Sequence, residues 1–454
     1  MSDDGRGGGP RRGGGKGPQG GRPRGGGGQS GRAKTGRRGG PPVRPADDRA
    51  GAARRAAHEV ALRVLRDGAF ADRALHGVAA DLDPRDRAQA KRLAFGVVQR
   101  RLTLDHLIER HVTRTLDPEV RVALHIGLYE LIFSDGVPDR AAVSSAVELA
   151  KPNAGFALVN AVLRAVATER DRPEGLGLPA DDTPEGAAIR HSHPEWLVQR
   201  WWKWLGPNVT RALLAAGNRP SELVLRVNTI KSGTTGPWPD VPGDPFDPEL
   251  PEAHRVDGPL DVVAHPGWGE GRFVAMSRGS MLAARAVDPQ PGERVLDLCA
   301  APGGKTTYLA ALMQNRGEIV AVEAHKARAR ALGRTCDRNG ASIVDVVHGD
   351  ALEVDLPVGS FDRVLLDAPC SGLGTLASHP DLRWRVQDTD LAELARLQGR
   401  LLAVAERALK PGGRLVYSVC TLNPGEERLG DGTVRRLMPH RDRTDGFYIA
   451  TREG

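Results

Sequence analysis

The sequence predicts a multidomain protein with an N-terminal all-α bundle, a small α+β module and a C-terminal α/β domain with a doubly wound sheet. Three observations indicate this. Apolar residues recur at helical spacing through the first third, a Pro/Gly/Asp-rich stretch follows, and after Gly292 apolar strands alternate with helices. The predicted segments are a tail (1–50), the helical domain (51–172), a linker (173–186), the module (187–285) and the α/β domain (286–454).

The tail carries the basic character of the chain. Residues 1–50 hold 12 Lys/Arg against 4 Asp, together with 18 glycines, while the whole chain has a net charge of only +7. Such a composition cannot bury enough apolar surface to fold. We therefore predict a disordered tail, for which loose, salt-sensitive contact with RNA and a purely solubilising role are equally good interpretations.

Cysteine usage and hydropathy indicate the cellular compartment that we expect for this protein. The chain has four cysteines and none forms a C-x-x-C pair, so neither a disulfide framework nor a zinc site is predicted. No apolar stretch approaches membrane-spanning length, and the N-terminus lacks the apolar core of a signal peptide. We expect a cytoplasmic monomer with no membrane segment and no metal.

Residues 52–172 have the periodicity of five or more helices. Asp83-Pro84 and Asp117-Pro118 are typical helix starts, and residues 136–138 (G-V-P) separate two helices. The histidines here are scattered, which favours core or surface roles over ligation. In the module, residues 193–205 predict a tryptophan-dense amphipathic helix, for which core packing is favoured over base stacking.

The α/β domain shows a regular order of strands. Because ligands of parallel sheets bind outside the carboxyl ends of the strands, the residues just after each strand are the informative ones. A turn, K-P-G-G (410–413), is predicted before the last strand. The five predicted strands are Arg294–Leu298, Glu318–Glu323, Val344–His348, Arg363–Asp367 and Arg414–Ser418.

The first strand runs into the turn on which the α/β domain is organised, V-L-D-L-C-A-A-P-G-G-K-T (295–306). It is neither G-x-G-x-x-G nor the Walker pattern, which argues against hydride transfer and ATP hydrolysis. Glu323 can accept hydrogen bonds from ribose hydroxyls and Asp350 can contact an adenine edge. Helix N-capping would explain any one of these acids. Asp297 could face a sulfonium cation, and the three acids together favour the binding of S-adenosyl-L-methionine (SAM).

Two cysteines follow later strands, Cys370 in D-A-P-C-S-G and Cys420 in S-V-C-T. Most cysteines are buried and inert, but a thiolate beside SAM indicates one reaction class. Thiolate addition to C6 of a pyrimidine makes C5 nucleophilic enough to accept a methyl group. Asp367 is the candidate for stabilising charge on the ring. From the residues alone, either cysteine could be the nucleophile.

The helical domain resembles the NusB-type RNA-binding domain over roughly 120 residues. Four segments carry the resemblance, and their order strengthens it. They are D-R-A-Q-A-K-R-L-A-F-G-V-V (86–98), Y-E-L-I-F-S-D-G-V-P (129–138), A-V-E-L-A-K (146–151) and V-N-A-V-L-R (159–164).

The α/β domain resembles the Sun/Fmu family of RNA cytosine-C5 methyltransferases, whose domain is Rossmann-like. The motifs are D-L-C-A-A-P-G-G-K-T, D-A-P-C-S-G, H-P-D-L-R-W-R (379–385) and Y-S-V-C-T-L-N-P-G-E-E (417–427). The resemblance implies Cys420 as nucleophile, Cys370 in product release, inert Cys299 and Cys336, and a cytosine of 16S ribosomal RNA as substrate. It implies SAM binding by Cys299, Ala300, Ala301, Pro302, Gly303, Gly304, Lys305, Glu323, Asp350 and Asp367.

This chain departs from that pattern, and rival functions exist. Glu323 stands where the family more often has Asp, residues 272–281 lack a common glutamine, and the packing after Glu427 is not predicted.

DNA cytosine-C5 methyltransferases use a Pro-Cys nucleophile, which Pro369-Cys370 would supply. A non-catalytic RNA-binding or assembly factor would have a broken cofactor turn or lack the thiols, and an amino-group methyltransferase would not have D-A-P-C.

Overall fold

The computed structural model describes residues 51–172, 175–233, 236–258 and 260–454 of the 454-residue chain. The tail predicted over residues 1–50 lies outside the described residues. The helical domain has six helices, which confirms the predicted bundle, and Asp83 and Asp117 cap two of them by accepting hydrogen bonds from backbone N–H groups at 2.9 and 3.0 Å. The helices are α1 Gly51–Leu65, α2 Ala71–Val78, α3 Pro84–Glu109, α4 Pro118–Phe133, α5 Asp139–Ala150 and α6 Phe156–Arg170.

The module begins inside the predicted linker, because Pro184 already starts a helix that Thr183 caps. The tryptophan-dense helix is broken at Gly206, whose φ is 77°. Trp201 is buried and donates to the Leu422 carbonyl at 2.8 Å, as the core-packing interpretation expects. The elements are α7 Pro184–His191, α8 Glu195–Ala216, β1 Leu223–Val227, α9 Thr229–Ser232, β2 Asp244–Pro245, β3 Ala253–Val256, α10 Pro266–Gly269, β4 Phe273–Ala275 and α11 Arg278–Ala286, with sheet order β2-β3-β1-β4.

The α/β domain holds a seven-stranded sheet with helices between its strands. Its elements are β5 Arg294–Asp297, α12 Gly304–Leu312, β6 Glu318–Glu323, α13 Lys326–Asn339, β7 Val344–His348, β8 Phe361–Asp367, α14 Leu382–Arg385, α15 Asp388–Ala408, β9 Leu409–Val419, β10 Thr433–Leu437, α16 Pro439–Asp442 and β11 Phe447–Glu453. The order is β10-β11-β9-β8-β5-β6-β7.

Two features of this sheet differ from the prediction. The five predicted strands are parallel, but β11 pairs antiparallel with β9 and β10 with β11, so the sheet is mixed. The predicted K-P-G-G turn lies inside β9, since an irregularity opposite Phe361 and the positive φ of Gly412 (75°) let the strand continue through it. Among the described helices, none is long and apolar enough to cross a membrane.

The H-P-D-L-R-W-R segment joins the helical domain to the α/β domain. Trp384 Nε1 donates to the Val98 carbonyl of α3 at 2.7 Å. The fully buried Arg383 has no carboxylate beside it among its described partners and donates only to neutral oxygens. Those acceptors are Gln99 O at 3.2 Å, Ser192 O at 3.0 Å, Asn218 Oδ1 at 2.8 Å, Leu376 O at 3.4 Å and Gly217 O.

Candidate active site

A cavity of about 910 Å³ opens at the carboxyl ends of β5, β8 and β9. Asp297, the turn 299–302, Lys305, Asp367 and Cys420 line one wall of it. The module and the chain between β10 and β11 supply the opposite wall. Residues that are about 120 positions apart in the chain therefore line one cavity, because parallel strands end at the same edge of the sheet.

The cofactor turn leads directly into the first turn of α12. Gly303 has a φ of 102°, and a Cβ there would lie 2.7 Å from Leu332 Cδ1, so only glycine fits. The first two residues of α12, Gly304 and Lys305, line the cavity, and a helix N-terminus favours polar ligands through its free N–H groups. Lys305 Nζ forms an ion pair with Asp367 Oδ2 at 2.7 Å. Burial is the largest influence and would lower the pKa of Lys305, but the charge and hydrogen bond of Asp367, together with Cys420 and Asp297, outweigh burial and raise that pKa.

Asp297 at the end of β5 has a buried oxygen that no described residue satisfies. Thr306 Oγ1 donates to Oδ2 at 2.8 Å, while Oδ1 has no hydrogen-bond donor within the described parts of the chain. Burial raises the pKa of Asp297 to about 7, and the charge of Asp367 adds to this effect. A cationic ligand would satisfy the free oxygen and favour its ionised form. The residues present therefore fit SAM, whose sulfonium and ammonium groups are cations.

Glu323 and Asp350 end up at the same sheet edge but outside the cavity wall. Glu323 is buried, accepts from the backbone N–H of His325 at 2.9 Å and lies 3.4 Å from an Arg328 nitrogen. Asp350 is exposed and accepts from the backbone N–H of Leu352 at 2.9 Å. Each acid thus accepts from the backbone N–H group two residues further on, and the predicted cofactor contacts of both remain predictions.

The two candidate catalytic thiols are adjacent. Cys370 Sγ and Cys420 Sγ are 3.4 Å apart, and Cys420 is the one that lines the cavity. The pKa of Cys370 is raised well above its ordinary value, first by its contact with Cys420, then by burial and by nearby negative charge. Burial also raises the pKa of Cys336, to about 12, and that of Cys299, still further. Three of the four thiols are therefore held in the neutral form.

Asp367 stands between the cofactor turn and the cysteines. Its Oδ1 accepts from Ser418 Oγ at 2.6 Å and its Oδ2 faces Lys305. Both donors fix the carboxylate at the cavity wall. Sequence reasoning missed Ser418 as the residue that orients Asp367, although its position at the end of a strand before Cys420 was a usable signal. It also assigned Lys305 to the cofactor only, whereas Cys420 is among the groups that raise the pKa of Lys305.

Within the described residues, no group of three or more His, Cys, Asp or Glu side chains could hold a metal ion.

Comparison with known proteins agrees with this geometry. Residues 284–430 match the family model of 16S rRNA methyltransferase RsmB/F, residues 51–168 that of the NusB family, and residues 193–235 that of the RsmF/B-like ferredoxin-like domain. The chain is 36% identical to a probable ribosomal RNA small subunit methyltransferase B of Synechocystis over 82% of this chain and 86% of the relative. A Bacillus subtilis protein described in the same words is 31% identical over 82% and 91%.

A solved structure covers nearly the same length. The crystal structure of PH0851 superposes with a TM-score of 0.70 at 26% identity, covering 89% of this chain and 98% of that one. The fold and the cavity define a SAM-dependent methyltransferase with a NusB-type helical domain. More particularly, the chain belongs to the ribosomal RNA small subunit methyltransferase B family.

Asp297 should make cofactor affinity depend on pH. Its pKa of about 7 means that the carboxyl group is largely neutral below that pH and becomes the partner of a cation above it. We expect SAM affinity to rise up to about tenfold between about pH 6 and pH 7.5, measured by calorimetry. Asp297→Asn should bind SAM more weakly and without this dependence, whereas the exposed Asp345→Asn should keep it. The same slope in Asp297→Asn would contradict the assignment.

Proposed function

We propose that this chain methylates C5 of a cytosine in 16S ribosomal RNA through a covalent adduct between Cys420 and C6 of the ring. The observation that carries the proposal is the pair of thiols 3.4 Å apart at a cavity whose wall also holds the Lys305–Asp367 ion pair. SAM supplies, when bound, a methyl group attached to a positively charged sulfur.

Cys420 is the attacking group in this proposal. Of the two adjacent cysteines it is the one on the cavity wall, where Lys305 and Asp367 also lie. The thiolate electron pair forms the S–C6 bond, and the electrons of the C5=C6 bond move toward the N3 side of the ring. The Lys305–Asp367 pair, with Asp367 held by Ser418, is placed to pass a proton to N3, which neutralises the negative charge that develops there.

Cys370 acts in the release of the product. After C5 has accepted the methyl group, a base removes the proton from C5. The electrons of the C5–H bond re-form the C5=C6 bond, and the S–C6 bond breaks. The electron pair of that bond returns to Cys420. A neutral Cys370 thiol at 3.4 Å can donate a hydrogen bond to the departing thiolate, and its raised pKa keeps it neutral for this purpose.

The RNA target follows from the family and from the shape of the site. Relatives described as ribosomal RNA small subunit methyltransferase B match more than four fifths of this chain. A base inside a helix cannot reach a thiolate on a cavity wall, so the cytosine must be single-stranded or flipped out. We assign RNA binding to residues 51–172, RNA recognition to 187–285 and catalysis to 286–454.

Bisulfite sequencing of ribosomal RNA tests this function directly. RNA from cells that contain the protein should hold a cytosine in 16S rRNA that resists conversion, and that cytosine should become convertible when the protein is removed. Re-expression of the wild-type chain should restore the resistance, whereas Cys420→Ala should not. A conversion pattern of 16S rRNA that is identical with and without the protein would contradict the proposal.

A further inference from the structure

Glu426 lies in a 3₁₀ turn, six residues after Cys420, and its side chain is completely buried. Burying a carboxylate is costly unless its oxygens are hydrogen-bonded. Both oxygens of Glu426 accept hydrogen bonds, and all five donors are uncharged groups. The donors are Ser371 N at 2.9 Å, Ser371 Oγ at 2.5 Å, Gln398 Nε2 at 2.9 Å, Asn423 Nδ2 at 3.0 Å and Thr421 Oγ1 at 3.3 Å.

Three of these five donors belong to the residues that directly follow the two cysteines. Ser371 directly follows Cys370, and Thr421 directly follows Cys420. The two hydroxyls also contact each other, with 2.6 Å between Ser371 Oγ and Thr421 Oγ1. A single carboxylate therefore bridges the two turns one residue beyond each sulfur.

A third element, helix α15, also forms a hydrogen bond with the Glu426 carboxylate. Gln398 of α15 donates from one nitrogen both to Glu426 Oε2 and to the Pro369 carbonyl, which directly precedes Cys370, at 2.9 Å each. The Tyr417 hydroxyl donates to the backbone carbonyl of Glu426 at 2.7 Å. The carboxylate is thus held from the sheet and from a helix, so it cannot shift without moving the cysteine turns.

Backbone pairing alone does not account for this. The Ala368 amide donates to the Ser418 carbonyl at 2.9 Å and Gly374 to Cys420 at 3.0 Å, which ties the turns at their beginnings and ends. Between those two points, the described contacts that join the turns are the ones made by Glu426, by the hydroxyl pair and by the sulfurs themselves.

We propose that Glu426 is a positioning residue, a hydrogen-bonded carboxylate clamp that holds the Cys370 and Cys420 turns at the one separation at which product release is efficient. The inference rests on the proposed function of the two cysteines. Loss of the clamp moves Cys370 relative to Cys420, so the adduct still forms but is resolved slowly. Misplacement of about 1 Å in a catalytic group can cost about a hundredfold in rate.

Glu426→Gln tests the clamp, because its amide nitrogen would face donors such as Ser371 N–H that need an acceptor. We expect kcat for methylation of 16S rRNA fragments to fall about ten- to a hundredfold. The SAM dissociation constant should stay within about twofold, and an RNA–protein adduct stable to denaturing gels should accumulate. The matched control is Glu427→Gln, which removes the neighbouring acid that pairs with Arg436 instead.

Ser371→Ala gives a second variant, which keeps the backbone N–H and removes one donor. Its effect should be smaller, and the double variant should lose less than the two single losses combined, because both act through one contact. Three outcomes would overturn the clamp. They are a wild-type kcat with no adduct in Glu426→Gln, losses of kcat in the two single variants that add up in the double variant, and a loss of SAM binding that parallels the loss of kcat. Absence of 5-methylcytosine in the wild-type reaction would instead overturn the proposed function.

Discussion

Replacing Cys420 with alanine should abolish methyl transfer, by a factor on the order of 10⁴ or more, because no other described thiol lines the cavity as a thiolate candidate. Replacing Cys370 with alanine should instead leave the enzyme covalently attached to RNA, since the adduct forms but its release is impaired. Incubation with radiolabelled SAM and 16S rRNA, followed by a denaturing gel, reads both outcomes at once.

The electrostatic surroundings of the two sulfurs explain the asymmetry. The contact with Cys420, burial and the charges of Glu426 and Asp367 raise the pKa of Cys370, whereas Cys420 lines the cavity together with the Lys305–Asp367 ion pair. Cys336→Ala is the matched control and should retain activity, because that thiol is a buried residue of α13 and does not line the cavity. A trapped adduct in the Cys420 variant, with none in the Cys370 variant, would assign the nucleophile to Cys370.

Arg383→Met should lower the free energy of unfolding by about 3 kcal/mol, since it leaves buried carbonyl oxygens without donors. Three of those oxygens belong to different parts of the chain, in α3, after α7 and after α8. The same segment continues into the cavity wall at residues 373–379. We therefore expect methylation to fall with stability, while SAM binding, which uses the opposite wall, is retained in the folded fraction.

Arg385→Met is the control for that experiment. Arg385 lies in the same motif, but it is half-buried and packs over the Phe70 ring, with its guanidinium carbon 3.7 Å from the centroid. Its loss should cost less than about 1 kcal/mol. Urea denaturation of both variants measures the difference. Equal destabilisation by the two substitutions would show that Arg383 does not join the domains.

Much of the fold could be predicted from local sequence patterns. The starts of α3 and α4 followed from an Asp-Pro pair, because the side-chain cap and the fixed φ of proline act within a few residues. β6 and β7 lie where the apolar runs placed them. The continuation of β9 through Gly412 did not follow, because the pairing with β8 overrides the turn preference of that segment.

Part of the candidate site could likewise be predicted from the sequence, and part of it could not. The use of SAM could be predicted from the motifs at the strand ends and from the family resemblance, whereas the catalytic roles that the resemblance implies stay predictions. The antiparallel return of β11 against β9, which closes the cavity with Phe447, could not be predicted from the basic segment after Glu427.

The sequence by itself determined the fold class and the methyl donor, because these depend on periodicity and on local motifs, and it predicted a short set of residues for the reaction. Only the tertiary structure decided that Cys370 and Cys420 lie 3.4 Å apart, that Lys305 faces Asp367, and that Glu426 joins the two cysteine turns. Such contacts depend on how strands and turns distant in sequence come together, and burial gives them their strength by removing water from around the charges.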